Sequence, residues 1–198
     1  GKPMLHIVID SFVQSGFSEF YITVNYLKEQ IIEYFGDGSR FGVEINYVIE
    51  DKPLGTAGSL ALLKGALTSP FLLVNADVLS TVDFSSILHF HVSSNASATI
   101  VVREDSRRLP FGVVKEENGC VTEIVEKPLI SSLVNAGVYV FNPSVLDLVP
   151  EATFYDAPSL LLDIINVGQI VKCFPLHEYW IDIGRPESLA QAMSEWSE

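Results

Sequence analysis

Two aspartates close apolar runs, and carboxylates so placed are candidates to hold a cation. Asp77 ends "FLLVNAD" (71–77), and Asp182 stands between two isoleucines in "HEYWIDIGRPE" (177–187). An ionised carboxylate within an apolar strand is costly unless it is paired or binds a metal. Two of them converging could share one ion. Mg²⁺ takes octahedral oxygen ligands, commonly one or two carboxylates completed by substrate phosphates. Plainer readings stand beside this one. Asp77 could cap the next helix or close a turn, and Asp182 could pair with Arg185 or a backbone turn.

Three further patterns could contact a ligand. In "EDKPLGTAGSL" (50–60), Gly55, Ala57 and Gly58 carry little or no side chain, so a flat ring or a phosphate can approach the backbone closely. The N–H groups of the following helix would favour anionic or polar atoms, although many turns of this kind are Gly-rich for turn geometry only. "VEKP" (125–128) sets Glu126, an acceptor for hydroxyls, beside Lys127, a point charge for a phosphate. A solvated strand edge gives the same pattern. "VNAGVYVF" (134–141) places Asn135, Ala136 and Gly137 before an apolar strand, as a sugar-reading turn or an ordinary bulge. Lys2 is either a substrate-facing cation or a terminal residue. His6, His89, His91 and His177 are scattered and read as structural or surface residues, and no Ser/His or Cys/His arrangement suggests a covalent nucleophile.

The elements that must position these residues alternate along the chain. Residues 4–13 carry apolar residues at helical spacing, with Gly16 as a C-cap. Strands follow at 20–26, 43–51 and 71–77, separated by helices in "LKEQIIEYFGDG" and "LALLKGAL". "FSSILHFHV" reads as a helix and "SATIVVRE" as a strand. Alternating strands and helices with continuous apolar strands predict a parallel sheet covered on both faces. From Phe111 the texture changes: "FGVVKEENGCVTEIVEKP" reads as a hairpin turning at Asn118-Gly119. A strand "LVNAGVYVF", helices "PSVLDLV" and "APSLLLDIIN", and strands "IVKCFPL" and "EYWIDI" complete the chain. The expectation is one α/β domain over 1–198, with one half at 1–105 and a β-rich half at 106–198.

Composition narrows the partners. The net charge of −13 argues against a nucleic-acid backbone or an anionic membrane as partner. It leaves room for a small anionic substrate, because twelve Lys and Arg residues can gather in one cleft beside a divalent cation. No apolar run approaches the ~20 residues of a membrane span, and no signal peptide is read at the N-terminus. Cys120 and Cys173 form neither a disulfide framework nor a zinc pattern, so a reducing, cytoplasmic setting is expected.

Taken together, "GKPML", "EDKPLGTAGSL", "LVNADVL", "FGVV", "VEKP", "LVNAGVYVF" and "YWIDIGRPE" resemble, in order and spacing, the sugar-1-phosphate nucleotidylyltransferases. The resemblance covers essentially the whole chain. It is nearest to bacterial mannose-1-phosphate guanylyltransferase-like members, in which "LHEYWIDIGRPE" and "FYDAPSLLLDII" have near counterparts. It implies a Rossmann-like (GT-A-like) α/β fold, with a mostly parallel sheet, helices on both faces and a β-rich sugar-binding half. It also implies transfer of a nucleotide from a nucleoside triphosphate, GTP favoured, to a sugar-1-phosphate, mannose-1-phosphate favoured.

By the same resemblance Asp77 and Asp182 would hold Mg²⁺, so that a cation would complete Asp182 in its apolar strand. Gly55, Thr56, Ala57 and Asn75 would contact the nucleotide. Lys127 would grip the sugar phosphate, with Gly112, Glu126, Asn135 and Gly137 around the sugar ring, and Lys2 would neutralise transition-state charge. Homo-oligomerisation is left open. The alternatives are a non-catalytic nucleotide-binding or regulatory relative and a GT-A-type glycosyltransferase. Asn75-Ala76-Asp77 is not the Asp-x-Asp motif usual in the latter. Arg185 departs from the threonine that often caps the family's last helix. The family's Gly-rich loop, with the first strand before it, would precede "GKPML" and is absent from these 198 residues. The reading is therefore of an N-terminally truncated, inactive fragment, with a slot between the strands at 20–26 and 71–74.

Overall fold

The computed structural model describes residues 2–184; Arg185 lies outside them. In chain order the elements are α1 (Met4–Gln14), β1 (Glu19–Val24), α2 (Lys28–Phe35), β2 (Glu44–Ile49), α3 (Gly55–Gly58) and β3 (Phe71–Val74). Then come β4 (Val78–Ser80), α4 (Phe84–Ser93), β5 (Ala98–Arg108), β6 (Val113–Glu117), β7 (Cys120–Val125) and β8 (Leu129–Phe141). The series ends with α5 (Ala157–Asn166), β9 (Val171–Pro175) and β10 (Trp180–Asp182).

The central sheet has the order β3-β8-β5-β9. β8 runs antiparallel to β3 and β5, while β5 and β9 are parallel, so three strands share a direction and β8 opposes them. Side chains alternate across a strand, and both faces of this sheet are covered. Val138 and Val140 face a core built with α1, β4 and α4. Tyr139 and Phe141 face a second core built with α5 and the 3₁₀ segment Pro143–Leu148. That is why β8 is apolar at successive positions. β1 and β2 form a separate parallel pair packed on α1 and α2, around Ile9, Phe35, Val43 and Ile45.

β1 and β3 do not pair with each other. Between them lies a cavity of about 550 Å³, walled by residues 18–23 and 70–74 and closed by apolar side chains that include Val8, Phe12, Leu60 and Leu63.

Two local readings differ from expectation. "LALLKGAL" is a 3₁₀ segment, Ser59–Leu63, rather than an α-helix, and the chain turns at Gly65, whose φ is +82°. The strand read over 71–77 ends at Val74, and β4 is a separate short strand just beyond that stretch. The hairpin turns as expected, with Asn118 at φ 53° and Gly119 at φ 79°, the double positive φ of a type I′ turn.

Both longer C-terminal helices start on an aspartate. Asp83 Oδ1 accepts from the Ser85 N–H at 2.9 Å, and Asp156 Oδ1 accepts from the Ser159 N–H at 2.8 Å. The serine side chains first, and then these N–H groups, hold both carboxyls below the ordinary aspartate value. A depressed folded-state pKa stabilises above the unfolded value and is lost as pH falls through the folded one. Asp156→Ala is therefore expected to cost about 1 kcal/mol at neutral pH. Thermal melts at neutral and strongly acid pH check this, and the gap between parent and variant should shrink in acid.

Candidate functional site

The short β4–β10 ribbon brings the two aspartates together. Asp182 lies opposite Val78, and the Ile183 N–H donates to the Asp77 carbonyl at 2.9 Å. The point where a Cβ on Gly184 would stand is 3.0 Å from Asp182 Oδ1 and 3.1 Å from Asp77 Oδ2. Both carboxylates thus border one small space, which a side chain at 184 would invade. The Gly184 N–H donates to Asp182 Oδ1 at 2.8 Å and fixes that carboxylate. Among the described residues neither aspartate enters an ion pair, and no group of three His, Cys, Asp or Glu forms a closed metal cage. Two hard oxygen ligands with open positions beside them suit Mg²⁺ completed by substrate oxygens.

One expectation about Asp182 is overturned. It is exposed, not enclosed by apolar residues. Its isoleucine neighbours belong to the opposite phase of the alternation: Ile181 is buried in the core and Ile183 packs against it, whereas Asp182 is exposed. Solvent and the Gly184 N–H suffice to accommodate the charge, so no cation is needed to explain its presence in the strand.

Asn75, Asn135 and Gly137 meet one another because β8 bulges there. The β5–β8 register passes from Ile100–Tyr139 to Val102–Asn135, leaving extra residues on β8. Within the bulge Gly137 has φ +71°, and a Cβ there would meet Asn75 Nδ2 and Val78 Cγ2 at 3.0 Å. The Asn75 N–H donates to the Gly137 carbonyl at 3.0 Å, and the Gly137 N–H donates to Asn135 Oδ1 at 2.9 Å. Asn135 Nδ2 in turn donates to the Tyr139 hydroxyl at 2.6 Å, and burial pushes that hydroxyl above its ordinary pKa.

The remaining candidates form separate groups. Gly55, Thr56 and Ala57 pack on the segment before α5. The Ala57 and Gly58 N–H groups donate to the Tyr155 carbonyl at 3.0 and 2.9 Å, and Thr56 Oγ1 accepts from the Ala157 N–H at 2.8 Å. A Cβ on Gly55 would lie 2.7 Å from the Tyr155 carbonyl oxygen. The small residues there admit backbone, and the N–H groups of Ala57 and Gly58 are used within the fold. Gly112, Glu126 and Lys127 sit on the exposed arm formed by β6, β7 and the outer parts of β5 and β8. Glu126 Oε2 is 2.8 Å from where a Gly112 Cβ would be, and Lys127 adopts φ 47° immediately before Pro128. A proline restricts the residue before it to extended conformations, so this lysine is held in a strained backbone. Lys2 lies elsewhere, its Nζ 2.8 Å from Asp10 Oδ2.

The family model described as Nucleotidyl transferase matches residues 1–198. The chain belongs to the nucleotidyl transferase family. Among its relatives, the mannose-1-phosphate guanylyltransferase catalytic subunit beta of Drosophila melanogaster is 34% identical over 97% of the chain. The mannose-1-phosphate guanyltransferase of Yarrowia lipolytica is 33% identical over 94%. The chain covers 54% and 53% of those two proteins, so it spans about half the length of the curated relatives it matches. The crystal structure of HddC from Yersinia pseudotuberculosis superposes with a TM-score of 0.76 at 23% identity, covering 100% of this chain and 87% of that one. It shows the fold of this nucleotidyl transferase to be the mixed α/β architecture described above. No helix among the described residues is long and apolar enough to cross a membrane.

Two residues of the site escaped the sequence reading. Gly184 passed as a turn residue in "IGRPE", and its role is visible only once Asp77 is beside it. Trp180 passed as a strand aromatic, although its indole N–H reaches the Ala136 carbonyl in the bulge at 2.8 Å. The only signal in the sequence was an amphipathic aromatic beside a candidate ligand.

Proposed function

We propose that this nucleotidyl transferase joins GTP to mannose-1-phosphate, releasing pyrophosphate, in the cytoplasm. The observation that carries this reading is the convergence of Asp77 and Asp182 on the space beside Gly184. The names of the relatives supply the base and the sugar. A sugar phosphate oxygen attacks the α-phosphorus in line, and the protein contributes placement and charge stabilisation rather than a covalent nucleophile. Mg²⁺ held by Asp77 and Asp182 would supply charge neutralisation at the phosphates.

Residues 1–105 form the nucleotide half, where Gly55, Thr56 and Ala57 line the base and ribose and Asn75 contacts the nucleotide. Residues 106–198 form the sugar-phosphate half. There Asn135 and Gly137 read the sugar from the bulge, while Gly112, Glu126 and Lys127 reach it from the arm. Lys2 would act only after leaving Asp10, and an exposed pair of this kind is worth about 0–1 kcal/mol. Pyrophosphate release with GTP, ATP, CTP and UTP, each against a panel of sugar-1-phosphates, tests the reading. Nucleotide binding without pyrophosphate under every combination would favour a non-catalytic role.

Lys127 divides the two ligands. A hydrogen bond to a charged group is worth about 1.5–3 kcal/mol. Lys127→Ala should weaken sugar-1-phosphate binding about 10–100-fold and leave nucleotide binding close to the parent value. Titration calorimetry with each ligand separately reads this, and equal losses for both would contradict the assignment.

A further inference from the structure

Asp182 is carried by a strand of three residues, paired through three register positions to the equally short β4. Val78, Leu79 and Ile181 anchor the ribbon in the core, which leaves the exposed Asp182 to be oriented by other contacts of β10. Two contacts outside the ribbon act on the residue two positions earlier. The Trp180 indole Nε1 donates to the Ala136 carbonyl at 2.8 Å. Ala136 is fully buried in the β8 bulge, so its carbonyl is shielded from water. From β5, Arg103 Nη1 donates to the Trp180 carbonyl at 3.0 Å, and its guanidinium lies 5.7 Å from the centre of the Trp180 ring. One tryptophan is thereby gripped at its backbone, its ring and its N–H by β5 and β8.

We infer that Trp180 is a positioning residue, clamped by Arg103 and the Ala136 carbonyl, that sets Asp182 at the spacing from Asp77 at which both can bind one divalent cation. The same contact ties β10 to the bulge that carries Asn135 and Gly137. A shift of the bulge is thus transmitted to Asp182, and metal binding and sugar recognition share one support. Groups that orient metal ligands from outside typically change affinity about 10–100-fold when removed. The inference rests on the metal reading of Asp77 and Asp182.

The test is Mn²⁺ binding, followed by electron paramagnetic resonance at a temperature where circular dichroism shows every variant folded. Trp180→Phe keeps an aromatic ring and removes the N–H. Arg103→Met removes the grip on the carbonyl and the ring, and serves if Trp180→Phe does not fold. Each should weaken Mn²⁺ binding about tenfold in folded protein, and Arg103→Lys should recover part of the loss. Parent-like Mn²⁺ affinity in folded Trp180→Phe and Arg103→Met, with binding lost in Asp77→Asn, would overturn the positioning role alone. Parent-like affinity in Asp77→Asn as well would overturn the metal reading beneath it.

Discussion

Replacing Asp77 or Asp182 with asparagine is expected to abolish nucleotidyl transfer while leaving the fold intact. Both side chains are exposed and neither is paired with a cation among the described residues, so the folded state loses little with either charge. Surface substitutions of this kind usually fall within about 0.5 kcal/mol. In Asp182→Asn the amide oxygen can still accept from the Gly184 N–H, so the local turn is kept. What disappears is negative charge facing the shared space. Loss of one electrostatic contact to a reacting group commonly costs about 10²–10³-fold in rate, and on the proposed reading each aspartate supplies one such contact through the cation. Pyrophosphate release and thermal melts on the same samples separate the outcomes. Turnover within a few-fold of the parent in either variant would remove the site. A large fall in melting temperature would show that the aspartate serves the fold.

Gly137→Ala is expected to be among the most destabilising single-methyl changes in the chain. Its φ of +71° costs an L-residue about 1–2 kcal/mol. The new Cβ would also press on Asn75 and Val78 at 3.0 Å, and such overpacking typically adds about 1–3 kcal/mol. A total of about 2–5 kcal/mol corresponds to a fall of roughly 5–15 °C in Tm for a chain of this length. Gly168→Ala is the control, because Gly168 has φ +78° but nothing within 4 Å of a Cβ. The difference between the two measures crowding alone. Equal losses would mean that the close approach of the bulge to Asn75 carries no weight. Because Asn75 and Val78 flank Asp77 in sequence, surviving folded Gly137→Ala should also bind nucleotide less well.

Much of this was legible in the residues themselves. Asn118-Gly119 announced its turn because few sequences tolerate two successive positive φ values. The continuous apolar run in β8 announced burial on both faces. Asp77 and Asp182 stood out because each ended such a run, and the ribbon does place them together. The environment of Asp182 was misread because isoleucines at one position before and after look like enclosure in a string, although in a strand they point the other way. Gly55 and Gly58 were ambiguous for a physical reason: a close approach demands glycine whether the visitor is a ligand or the backbone of residues 153–155. β4 was invisible because three residues adjoining a longer apolar run carry no period of their own. Trp180 and Gly184 matter through partners some 45 to 110 positions away along the chain, a relation that local pattern does not encode.

Among the described residues β1 and β3 are held to one another by side-chain packing and not by a shared strand ladder. Among the described residues β1 and β2 exchange no strand pairing with the four-stranded sheet. Side chains join this pair to the rest: α1 contributes Ile9 to one core and Val8 and Phe12 to another, while Val48 and Tyr21 pack into the core beside α5. Phe12 stacks on Phe84 at 3.9 Å and meets Phe20 edge-on at 6.2 Å, touching both sides of the seam. Side-chain packing without a hydrogen-bonded ladder is the weaker kind of seam, and cooperative units separate where few interactions cross. Phe12 is therefore a rivet between β1 and α4, holding them by ring packing rather than by strand pairing.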